Sequence, residues 1–144
     1  MSVLLEASPP TSSSADSSAD LSTQSAALLD EAARVIENYG WNQYDFWRNA
    51  EVGKPWLGTG VCAIGGLLIA CGQTQAINYT PIPVIRAVSA AEMYLKQHDP
   101  QHPNLASCND VVASRPEQII TLLRATAQAL RDGQLTVLDL WEAS

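Results

Sequence analysis

Basic residues are scarce in this chain: eight lysines and arginines face fifteen aspartates and glutamates, a formal charge of −7 at neutral pH. That balance repels phosphate backbones and anionic lipid headgroups, so neither nucleic acid nor a membrane surface is an expected partner. Cysteine is equally sparse. Cys62, Cys71 and Cys108 form no CxxC pair, and an odd number of thiols implies reduced cysteines in a cytoplasmic compartment and no structural zinc. The opening residues, Met1 to Pro10, lack the basic segment of a secretory leader. No apolar run reaches the roughly eighteen residues that a membrane-spanning helix needs. Nor is there a phosphate-binding loop: Gly58-Thr59-Gly60 has no GxGxxG or P-loop continuation, and no cofactor is expected.

What the chain does have is the stretch GTGVCAIGGLLIACG from Gly58 to Gly72, without a charge and with five glycines. Thr59 is placed to cap a helix from Val61 to Cys71, with Gly72 as a left-handed stop. Apolar residues fall on every side of this segment, so it has to be enclosed by other helices. Gly65 and Gly66 each cost about 1 kcal/mol relative to alanine inside a helix, which predicts that a neighbouring backbone crosses closely there.

The expected architecture is all-α: one globular domain over residues 25–144, with four main helices around this buried central one, behind a disordered leader over residues 1–24. The leader is read from the serine, alanine, aspartate and proline of residues 7–25, a composition too poor in apolar groups to offset its ordering entropy. From Ser25 to Tyr39, Leu28, Leu29, Ala32, Val35 and Ile36 recur at helical spacing, and Gly40 ends the helix. Thr80 is placed to open a helix with Pro81 and Pro83 in its first turn and Val84, Ile85, Val88, Ala91 and Leu95 on its buried stripe. Residues 97–105, with Pro100 and Pro103, read as a surface loop. Ser114-Arg115-Pro116-Glu117 reads as a serine N-cap, a first-turn proline and a glutamate closing a capping box. The helix it opens carries Ile119, Ile120, Leu123, Ala127 and Leu130 inward and stops at Gly133. Leu135 to Trp141 is expected to dock as a tail or a short helix.

Two groups of residues could carry function. Trp41, Tyr44, Trp47 and Trp56 are aromatics in a polar setting; such rings either plug a loop against the core or form a contact patch for another protein, with Arg115 as a further contact. The second group is Cys62, His98, His102, Asn109 and Asp110. A cysteine at a helix start followed by histidine and then asparagine or aspartate is the order used by papain-like thiol hydrolases. Its ordinary counterpart is a small buried cysteine. Two histidines in a proline-rich loop, without a third firm ligand, predict no metal site. Asn109 or Asp110 is expected to cap the turn leading to Ser114, and Arg115 to pair with a nearby carboxylate.

Several short motifs point to a family. Ala32-Ala33-Arg34-Val35-Ile36 to Gly40-Trp41, Cys62-Ala63-Ile64-Gly65-Gly66-Leu67, and Cys108-Asn109-Asp110 before Arg115-Pro116-Glu117-Gln118-Ile119-Ile120 resemble the uncharacterised domain of unknown function 6197 family, met in bacteria and their phages. The resemblance covers about residues 26–130. Val61, Cys108 and Pro116 stand where that family typically has Trp, Trp and Thr. The family implies no established activity; it draws attention to Cys62, Asn109, Asp110 and Arg115. With no specific catalytic motif, the expected function is a non-enzymatic regulatory or adaptor protein that binds another protein. The alternative is a thiol-dependent hydrolase or acyltransferase using Cys62 with His98 or His102.

Overall fold

The computed structural model describes residues 14–41, 43, 61–72 and 80–137. It is all-α: α1 Ser14–Tyr39, α2 Ala63–Ala70, α3 Ile82–His98, the single turn α4 Leu105–Ser107, a π-helical turn over Cys108–Val112, and α5 Pro116–Arg131. α1 packs against α2, α3 and α5, while α2 also meets α3 and α4. The core between them is built from alanine and leucine, with Leu29, Ile36, Leu67, Leu105, Ile119 and Leu123 among its largest enclosed side chains. Alanines such as Ala32, Ala87 and Ala91 let these helices approach closely.

α1 begins at Ser14 rather than at Ser25, so the second half of the expected leader is helical. Once a helix is nucleated, each added serine or alanine costs only its small propensity difference, and Leu21 lies partly buried against the core. Residues 1–13 lie outside the described residues. Gly40 (φ 92°) and Gly133 (φ 75°) stop α1 and α5 in the left-handed region, where glycine carries no steric cost.

In α2 the expected close crossing is present. A Cβ placed on Gly66 would lie 3.2 Å from the carbonyl oxygen of Ala32, on the backbone of α1. The start of α2 differs from expectation: its N-cap is Cys62, whose Sγ accepts from the Gly65 N–H at 3.3 Å. Thr59 lies outside the described residues. Gly72, at φ 96°, follows the C-cap Cys71.

α3 opens on Pro81 without a side-chain cap. Its buried residues are Val84, Ala87, Ala90, Ala91 and Leu95, so the stripe turns slightly from the expected one and leaves Ile85 and Val88 half-buried. The start of α5 corrects the expected Ser114–Glu117 box. The N-cap is Arg115, which has no acceptor to offer, and Pro116 opens the helix. It is Gln118 that reaches back, its Oε1 accepting from the N–H groups of Ser114 at 2.6 Å and Arg115 at 3.1 Å. Beyond Gly133, Leu135 and Val137 are buried and non-helical, docking the chain on the core; residues 138–144 lie outside the described residues.

Candidate functional site

The chain after α1 hooks back toward the π-helical turn. Gly40 breaks the helix, its carbonyl accepts from the Val61 N–H at 3.0 Å, and Trp41 and Val61 form an isolated parallel bridge. This brings Trp41 and the start of α2 to the same place. Asn109 arrives there from the other side, on the turn that closes with Ala113 N–H donating to the Cys108 carbonyl at 2.8 Å. That bond spans five residues, one more than in an α-helix, and such a π turn rotates the following side chains and loosens the local carbonyls.

Asn109 is the hub. Only 1% exposed, it uses its Oδ1 to accept from the Trp41 indole Nε1–H at 2.7 Å and from the Ala63 N–H at 3.0 Å. Its Nδ2 donates to Asp110 Oδ1 at 2.8 Å. Two donors on one side and a carboxylate on the other dictate which way the amide faces. The carbonyls of the turn are gathered by a second amide: Gln43 Nε2 donates toward the oxygens of Asn109, Asp110 and Ala113 at 3.2, 3.1 and 3.1 Å. Asn109 therefore caps the start of α2. The expected role at the Ser114 turn falls to Gln118, because the π turn points the Asn109 side chain inward.

Cys62 borders the same node. Its thiol is pushed up from the ordinary 9.0 to about 11, chiefly by burial, with the negative charge of Asp110 adding to the effect. Hydrogen bonds from the Gly65 and Ile64 N–H groups pull the other way and lose. A helix start does favour the thiolate, as its sequence position suggests, but desolvation is the larger effect here. Cys108 is likewise pushed up by burial, then by Asp99.

The histidines stand apart from this node. His98 Nδ1 bonds to the Tyr94 carbonyl at 2.9 Å, and its ring stacks on Tyr94 with centroids 4.0 Å apart. His102 Nδ1 meets Asp99 Oδ2 at 3.3 Å. Both bonds stay within the end of α3 and the connector after it, and neither ring hydrogen-bonds to Cys62. No group of three His, Cys, Asp or Glu side chains suited to a metal occurs among the described residues. Arg115 is exposed and forms no ion pair among the described residues, contrary to the expected carboxylate partner. Tyr44, Trp47 and Trp56 lie outside the described residues. Gln43 had no signal in the sequence beyond lying between aromatics.

Trp41, Cys62-Ala63 and Asn109-Asp110 meet in one node, and these are motif residues set far apart along the chain. The model of the family of unknown function (DUF6197) matches residues 21–129, most of the chain. The chain belongs to this family. No curated protein and no solved structure matches it. In this DUF6197 chain the motif residues Trp41, Ala63 and Asp110 hydrogen-bond to the amide of Asn109, with Cys62 next to Ala63, while Arg115 contributes through its backbone to the start of α5. No helix among the described residues is long and apolar enough to cross a membrane.

Proposed function

We propose that this chain is a non-enzymatic regulatory or adaptor protein that acts by binding another protein. The observation that carries this reading is that the polar groups at the start of α2 already have partners within the fold. Acyl-transfer chemistry needs N–H groups free to meet a developing oxyanion and a nucleophile beside a base. At the start of α2 the Ala63 N–H is taken by Asn109 and the Gly65 N–H by Cys62. Burial keeps the Cys62 thiol protonated at neutral pH. The thiol-dependent alternative, with His98 or His102 as base, draws no comparable support.

The node does hold a rigid turn at the surface. Val111, 71% exposed, and Val112, 39% exposed, project from the segment whose carbonyls Gln43 gathers. Exposed apolar side chains on a fixed backbone suit contact with a partner, since little ordering entropy is lost on binding. Affinity capture from the native host compares the wild type with Val111→Asp. Exposed substitutions typically change stability by about 0.5 kcal/mol or less, so the two are expected to melt alike. A partner retained by the wild type and lost by the variant is the expected result. Capture of the same proteins by both, or of none by either, would overturn the reading.

A further inference from the structure

α3 carries a second feature, away from the Asn109 node. Ser89, Glu92, Met93 and Lys96, at helical spacings of three and four, form one wall of an open cavity of about 370 Å³ whose other wall is Pro103 and Asn104. This volume lies at the small end of the range of about 300–1,000 Å³ found for small-molecule sites. Glu92 and Lys96 are four residues apart, the spacing at which such side chains usually pair. Here they do not: Glu92 Oε2 accepts from the Leu105 N–H at 2.8 Å, which draws the carboxylate toward the start of α4. Lys96 is exposed and makes no ion pair among the described residues. One helix face thus presents a carboxylate and an ammonium that do not neutralise each other, and Met93 and Pro103 supply apolar lining to the same cavity.

We propose that this cavity binds a free α-amino acid with an apolar side chain. The ligand ammonium meets Glu92, its carboxylate meets Lys96, and its side chain lies against the apolar lining of Met93 and Pro103. A molecule with one charge would leave the other wall group unmatched, and a polar side chain would lose the contact with thioether and proline ring. The site is non-covalent, and it does not depend on the partner reading above: ligand binding and partner capture are read in separate experiments.

Thermal melting and calorimetric titration of the full chain test the proposal, with L-leucine, L-methionine and L-phenylalanine as probes. L-leucine amide and N-acetyl-L-leucine, each lacking one of the two charges, serve as controls. The expected result is a Tm that rises with at least one free amino acid and does not move with either control. Glu92→Gln keeps an acceptor for the Leu105 N–H while removing the charge, and Lys96→Met keeps the stem. Each variant is expected to melt like the wild type without ligand and to weaken binding about tenfold or more, the usual scale for a hydrogen bond to a charged group. The proposal fails if none of the three amino acids binds, if leucine amide or N-acetyl-leucine binds as well as leucine, or if both variants retain wild-type affinity.

Discussion

Asn109 is worth more to this protein than an asparagine at a helix cap usually is. Removing its side chain strands the Trp41 indole N–H and the Ala63 N–H, both dependent on one buried oxygen. A buried donor left unsatisfied costs about 1–3 kcal/mol. Asn109→Ala is therefore expected to destabilise by about 2–4 kcal/mol, above the typical loss of about 1 kcal/mol for an exposed cap. Urea denaturation checks this, and a loss under about 0.5 kcal/mol would mean the node is not a structural clamp. Cys62 gives the second prediction at this scale. Burial pushes its folded-state thiol up to about 11 from an ordinary 9.0, so the folded state holds the proton that the unfolded chain releases first. The stability this contributes is full below pH 9.0 and falls away as pH rises toward about 11. Cys62→Ala should flatten that limb of the stability curve relative to the wild type. Iodoacetamide should label Cys62 slowly at neutral pH and fast on unfolding; rapid labelling of the native protein at neutral pH would reveal an activated thiolate.

At the level of elements, the contact of α2 with α1 turns on a missing methyl group. Alanine at Gly66 gains about 1 kcal/mol of helix propensity. Against this, the new Cβ would sit 3.2 Å from the Ala32 carbonyl and 3.5 Å from Ile36 Cγ1. A flexible side chain could move aside, but the backbone of α1 is held by α3 and α5 as well. Overpacking of this kind costs about 1–3 kcal/mol, so Gly66→Ala is expected to lower the Tm despite the better propensity. A higher Tm would show that α1 and α2 are farther apart than described. The π turn follows a related logic: its extra residue turns Asn109 inward and exposes Val111, and Gln43 satisfies the carbonyls that the wider turn leaves without an internal donor.

Across the whole molecule, α1 and α5 are also joined at their exposed edges. Arg124 makes a bidentate pair with Glu37, at 2.7 and 2.6 Å, and Arg131 meets Asp30 at 2.6 Å. The Arg124 guanidinium holds the Glu37 carboxyl below its usual 4.5. A lowered carboxyl value means that the stabilisation is present above 4.5 and is lost as pH falls through the folded value. The pair is open to solvent and screened by salt, so its effect is modest. The expected outcome is a small Tm advantage of wild type over Glu37→Gln at neutral pH and low salt, vanishing in acid or in concentrated salt. An advantage that survives both conditions would have to come from packing.

The helices were largely legible in the sequence because their signals are local. The three- and four-residue spacing of Leu29, Ala32 and Ile36, the glycine stops at Gly40, Gly72 and Gly133, and the first-turn proline at Pro116 each act within a turn or two of chain. Even the close approach at Gly66 could be anticipated, since paired glycines inside a helix are costly without one. What only the tertiary structure decided is where polar side chains spend their hydrogen bonds. Asn109 serves Trp41 and Ala63, residues far away along the chain, rather than the neighbouring turn at Ser114. The Cys62 thiol is governed by burial, which is supplied by other elements, rather than by the helix start that its position reveals. Periodicity and capping are properties of adjacent residues, whereas desolvation and long-range hydrogen bonding exist only once distant segments have been packed together.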